Sequence, residues 1–207
     1  MEQENVGLYL GMDISEKYTM ISIYQQHMKE PQTISTIMGS ESYQIPTALA
    51  KKKGVGQWFF GREAKVRVKS GEALGVEDLL DKARTGEEVF LEHEKYAASD
   101  LLAIFLKRVR SLAGSAQAMM PLTKLVICLD KVSVEYMELF SAIMVKLGIE
   151  TDKLLLIDRR ESFYYYALSQ GPETFLHDVV MFDYTESDMV SCRLRRNMHT
   201  TPQVINL

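Results

Sequence analysis

Apolar positions open the chain in two strand-like patterns. Val6 to Asp13, reading Val-Gly-Leu-Tyr-Leu-Gly-Met-Asp, is a near-continuous apolar run that predicts a buried strand, and Tyr18 to Tyr24 alternates as a second strand. Only Ile14-Ser-Glu-Lys17 separates them, so a tight turn should pair them antiparallel. After the break at Lys29-Glu-Pro31 a third strand is expected from Gln32 to Ile37, stopped by Gly39-Ser40. The opening is therefore read as a three-stranded meander. From about Glu41 to Glu94, glycines interrupt short mixed segments and no long period survives, which predicts a small inserted subdomain. Within it, Trp58-Phe59-Phe60 is expected to seed a local core, and Lys51-Lys-Lys53 to be a solvated turn.

Beyond the insertion the period changes to helical. Leu101, Leu102, Phe105, Val109 and Leu112 share one face before Gly114. Lys124 to Leu129 is a continuous β-rich run between Pro121 and Asp130, the pattern of a strand covered on both faces. Met137, Phe140, Met144 and Leu147 then mark a second helix with Gly148 as its C-cap. A strand near Leu154 to Ile157, a short helix near Glu161 to Ser169 and strands at Val179 to Tyr184 and Met189 to Leu194 complete the order. Strands alternating with helices imply a parallel half joined to the antiparallel meander.

Composition narrows the functions open to such a chain. Its 207 residues are 46% hydrophobic and 25% charged, with 24 Lys and Arg against 28 Asp and Glu, a net charge of -4. No global positive field would gather it onto nucleic acid or anionic lipid. The acidic start Met1-Glu-Gln-Glu4 lacks the positive charge of a signal peptide, and the apolar run from Val6 to Ile14 is too short to span a bilayer, so a soluble, cytoplasmic protein without membrane insertion is expected. Cys128 and Cys192 lie in separate apolar runs, as suits a reducing compartment. The scattered histidines His27, His93, His177 and His199 have no metal-ligand spacing, and neither a nucleophile elbow nor a P-loop occurs. Phe163-Tyr164-Tyr165-Tyr166 should point around a helix, some rings packed on the sheet and others at the surface.

Five segments in this order carry a resemblance: Gly11-Met-Asp13-Ile14, Ile45-Pro46-Thr47-Ala48, Phe60-Gly61-Arg62-Glu63-Ala64-Lys65, Leu125 to Asp130 with its helix ending Lys146-Leu-Gly-Ile149, and Val179-Val-Met-Phe-Asp183. They resemble the first phosphate-loop strand, the Pro-Ser motif, the Gly-x-x-Ala-Lys motif, a strand and helix, and the second phosphate-loop strand of the ATPase superfamily shared by actin, sugar kinases and the seventy-kilodalton heat-shock chaperones. The resemblance covers nearly the whole chain. It implies an α/β, ribonuclease-H-like lobe over residues 1–207: a mixed five-stranded sheet, three antiparallel strands then parallel ones, flanked by helices, with residues 41–94 as the insertion. It also implies a second lobe after the second phosphate hairpin, so this polypeptide is expected to offer at most half a nucleotide cleft.

The resemblance further places ATP and magnesium against Asp13, Ser15, Glu16, Lys17, Asp183, Thr185 and Ser187, with Asp13 and Asp183 on the metal side and Glu161 as a candidate for orienting water. The residue types argue against chemistry there. Glycine normally admits the backbone shape that cradles a phosphate. Here Ser15 and Glu16 replace the glycine and hydroxyl residue of the first hairpin, and Tyr184-Thr185-Glu186-Ser187-Asp188 contains no glycine. Setting Glu16, Glu186 and Asp188 beside a triphosphate costs ~1 kcal/mol per like-charged pair at about 4 Å even in water. The expectation is a catalytically degenerate member of the superfamily that acts as an interaction or scaffold module with an unidentified protein partner, itself or another. Two alternatives stay open: an active magnesium-dependent ATPase or kinase completed by a second lobe, and an actin-like assembly protein.

Overall fold

The computed structural model describes residues 7–37, 39–114, 120–175, 177–184, 189–196 and 204–206. It divides into two compact units, Met1–Leu156 and Ile157–Leu207.

In the first unit, β1 (Leu8–Ile14) and β2 (Tyr18–Tyr24) bury alternate residues, so Leu8, Leu10, Met12 and Ile14 face one core together with Ile21 and Ile23. β1 pairs antiparallel with β2, from Tyr9 opposite Tyr24 to Ile14 opposite Thr19. The third strand is shorter than the sequence suggests: β3 is only Gln32–Thr33. Beyond it the Thr36 N–H and hydroxyl both donate to the Ser42 carbonyl, and the Ser35 hydroxyl donates to Ile37 O, so local hydroxyl bonds take groups that a ladder would have used. The other end of β2 is paired instead by β4 (Ile45–Pro46). β1 also pairs parallel with β10 (Leu122–Leu129), placing Asp13 opposite Cys128. The sheet runs β11-β10-β1-β2-β3, with β4 as a sixth strand on β2 and β11 being Leu154–Asp158. The chain is thus α/β with a mixed sheet of antiparallel and parallel strands flanked by helices.

Residues 47–97, from the end of β4 to the first long helix, hold the short strands and helices of the segment expected as an insertion. β5 (Leu49–Lys52) pairs antiparallel with β6 (Trp58–Phe60) and with β7 (Ala73–Val76), and α1 (Gly61–Lys69) packs on all three. Gly61, at the head of α1, has φ +61, a left-handed conformation that disfavours any residue with a Cβ. α2 (Leu79–Thr85) and the hairpin of β8 (Glu88–Leu91) and β9 (Glu94–Ala97) follow. Lys51 corrects the sequence reading of a solvated turn. It is 6% exposed on β5, ion-paired with Glu94 and 3.8 Å from Glu92, with its ammonium over the Tyr96 ring. That pairing holds the Lys51 ammonium pKa well above its usual range, chiefly through the Glu94 bond.

α3 (Ala98–Ser111) buries Leu101, Leu102, Phe105, Leu106 and Val109. α4 (Val134–Lys146), capped by the Ser133 hydroxyl accepting from the Tyr136 N–H, packs beside it. The buried face of α4 is Leu139, Phe140, Ile143 and Met144, so it is rotated from the expected one and leaves Met137 exposed. In the second unit, α5 (Arg159–Ser169) packs on a sheet of β12 (Val179–Tyr184), β13 (Met189–Arg196) and β14 (Val204–Asn206). Its small core joins Ala167, Cys192 and Leu194 with Phe163 and Tyr164, while Tyr165 and Tyr166 face solvent. Among the described residues no helix is long and apolar enough to cross a membrane.

Candidate functional site

β1 and β10 run in the same direction, so Asp13 near the end of one and Asp130 just beyond the other lie at the carboxyl edge of the sheet, where open α/β sheets place ligands. The β1–β2 turn closes this edge. The Ser15 N–H donates to the Tyr18 carbonyl at 2.9 Å, the Ser15 hydroxyl donates to the same oxygen at 2.9 Å, and the Tyr18 N–H donates back to Ser15 Oγ at 3.1 Å. The Ser15 side chain therefore takes part in closing its own turn. The only described non-glycine residues with positive φ are Asp78 and Glu92, so no residue of this turn needs a glycine's freedom.

The turn is fastened to the next segment by the Thr47 N–H, which donates to Lys17 O at 2.9 Å, and by a buried hydroxyl pair between Thr19 and Thr47 at 2.9 Å. Glu16 is turned toward the insertion. Its Oε2 accepts from the Leu80 N–H in the first turn of α2 at 3.3 Å. The N-cap of that helix, Asp78, sits at φ 50 and makes no side-chain cap of its own. Glu16 thus satisfies, from 64 residues away in sequence, an N–H that a helix start leaves unpaired. Burial pushes the Glu16 carboxyl above its ordinary value, against the N–H groups of Asp81 and Leu80, and the charges of Asp78 and Asp81 raise it further.

A cleft of about 490 Å³ beside the turn is lined by Lys17, Lys65 and Lys69 and also by Glu16, Glu77 and Asp78. Lys65 lies over the Tyr18 ring at 5.6 Å. Three lysines and three carboxylates give this lining a formal charge of zero, without the excess of cations that would gather a triphosphate. Lys82 donates to Glu77 O at 2.9 Å.

Asp13, Ser15, Glu16 and Lys17 are therefore gathered at one hairpin of the first unit. Asp13 is half-buried, with Oδ1 shielded from solvent. Asp183 belongs to the second unit, opposite Val190 in the β12–β13 ladder. Thr185, Glu186, Ser187 and Asp188 lie outside the described residues. Glu161 lies in the first turn of α5, where its N–H donates to the Asp158 cap at 2.8 Å and its Oε1 accepts from the Tyr165 hydroxyl at 3.2 Å. That bond raises the Tyr165 pKa. No described group of three or more His, Cys, Asp or Glu is placed to hold a metal ion.

The residues present do not fit a nucleotide triphosphate at the first hairpin: a carboxylate occupies the turn, and the adjoining cleft brings more. The sequence reading missed where Glu16 points, since its partner lies in an element distant along the chain. It also missed the groove between β6 and α3, whose signal was the alternation of Trp58 and Phe60 around buried Phe59.

A family model described as family of unknown function (DUF5716) C-terminal matches residues 30–207, from just before β3 through β14 and so over most of the chain. No curated protein matches the sequence.

Proposed function

We propose, from the premise that the chain belongs to the DUF5716 C-terminal family of unknown function, that it works as an interaction module on a nucleotide-binding architecture whose first phosphate loop is closed. The architecture in question is the ribonuclease-H-like lobe of the actin, sugar kinase and heat-shock chaperone superfamily. An antiparallel β1-β2-β3 edge, a parallel β10 beside β1, and an insertion between the meander and α3 all support that reading.

The observation that carries the loss of chemistry is Glu16. Its half-buried carboxylate docks on the Leu80 N–H, so the hairpin that would wrap a triphosphate is held by an anion of the chain itself. Catalysis of phosphoryl transfer rests on positioning and on positive or N–H donors around the phosphates. A carboxylate in that place opposes both. What survives is a sheet and insertion with exposed surface.

Titration calorimetry with magnesium-ATP tests this. The expected result is no saturable heat up to millimolar nucleotide and phosphate release at the background rate. Micromolar binding that disappears in Asp13→Ala overturns the proposal.

A further inference from the structure

The strand alternation in β6 buries Phe59 in a small core with Ala50, Ala64 and Ala73, and turns Trp58 and Phe60 to the other side. There they meet the outward flank of α3. Between them lies a groove of about 290 Å³, floored by Leu49, Trp58, Phe60 and Ile104 and edged by Lys107 and Arg108.

The groove is apolar and accessible at once. Ile104 remains 37% exposed on a helix whose opposite face is fully buried, and Trp58 and Phe60 are only half-buried. An unfilled apolar groove of this size accepts one or two large side chains, and such anchors supply most of the energy in small interfaces. Trp58 is held edge-on against Tyr96, with ring centroids 5.4 Å apart, so one wall is fixed before any ligand arrives.

The rim sets the charge of the ligand. None of the lining residues is acidic, although acids outnumber bases in the chain as a whole. The Arg108 guanidinium lies 4.9 Å from the centre of the Phe60 ring, which steadies its plane while leaving its N–H donors to bind a carboxylate. Lys107 adds a second positive charge one residue earlier on the same rim.

We infer that this groove binds a short acidic peptide segment of a partner protein, with a bulky apolar side chain seated between Trp58 and Ile104 and a neighbouring Asp or Glu paired with Arg108 and Lys107. The inference goes beyond the closed phosphate loop and does not depend on it. Nucleotide binding and peptide binding are read in separate experiments, so either can fail alone.

A phage-displayed library of random twelve-residue peptides, panned on the full chain, tests it. Enriched peptides should combine Phe, Trp, Leu or Met with Asp or Glu. The strongest, made synthetically and titrated by calorimetry, should lose about tenfold or more in affinity on Arg108→Ala and bind more weakly as salt is raised. Ile104→Asp should abolish binding. Because Ile104 and Lys107 both line an accessible rim, Lys107→Glu serves as a second variant, and unchanged thermal unfolding shows that each variant remains folded. No enrichment, enrichment of basic or purely polar peptides, or affinity that survives both Ile104→Asp and Lys107→Glu overturns the inference. So does a dimer of the chain that these substitutions dissociate, because the groove is then filled by a second copy.

Discussion

The molecule contains two antiparallel ladders of closely similar geometry and unlike surroundings. β1 and β2 are paired from Tyr9–Tyr24 to Ile14–Thr19, and β12 and β13 from Val179–Leu194 to Tyr184–Met189. In the first ladder alternate residues enter the main core and Leu10 is 1% exposed. In the second, one face packs Met181, Cys192 and Leu194 against α5, while the other presents Val180, Phe182, Tyr184 and Met189 to solvent, Tyr184 being 75% exposed. Backbone pairing alone does not decide how much a strand contributes to stability. What each face of the pleat meets decides it.

The largest expected effect follows directly. Leu10→Ala removes a buried side chain from a sheet continuous with β10 and should cost ~2–5 kcal/mol in urea unfolding. Val180→Ala, on the outward face of the second ladder, should change stability by less than ~0.5 kcal/mol. Equal losses at the two positions would break the comparison and mean that the outward face of β12 is covered. Phe182 and Tyr184, stacked at 6.5 Å, should by the same logic tolerate polar replacement.

The two ladders also show what could be read from the sequence. β2 and β12 begin and end where their apolar patterns do, at Tyr18–Tyr24 and Val179–Tyr184, because short-range alternation fixes a strand that is paired along its length. The third strand was overextended: Gln32 to Ile37 has strand-like composition, but the hydroxyls of Ser35 and Thr36 bind their own loop. Lys51 was misread for a different reason. A lysine followed by two lysines and a glycine looks solvated, and its partners, chief among them Glu94, 43 residues on, make burial tolerable. The direction of Glu16 was hidden by the same kind of distance. Residue types at the first hairpin were legible, but their contacts belong to the tertiary structure.

A smaller effect is expected at the turn that closes the first ladder. Ser15→Ala removes the hydroxyl that donates to the Tyr18 carbonyl and accepts from the Tyr18 N–H, and should cost ~1–2 kcal/mol. Hydrogen exchange at the Tyr18 amide should accelerate with it. A neutral substitution would mean that the ladder, rather than the serine, sets the turn.

The smallest and most diagnostic effect concerns Glu16. Because burial raises its folded pKa above the ordinary 4.5, the folded chain holds this proton more tightly than the unfolded chain does. The stabilising contribution of the protonated form is complete below pH 4.5 and is lost as pH rises through the folded pKa. Glu16→Gln keeps an oxygen that can accept from the Leu80 N–H but has no proton to lose. The variant should match the wild type in acid, then become the more stable of the two as pH rises to neutrality, by a margin that stays level once Glu16 is fully ionised. Chemical unfolding at a series of pH values reads this difference. A variant less stable than the wild type at neutral pH would mean that the ionised carboxylate holds the start of α2 more strongly than burial penalises it. The first turn would then owe its anchoring to charge.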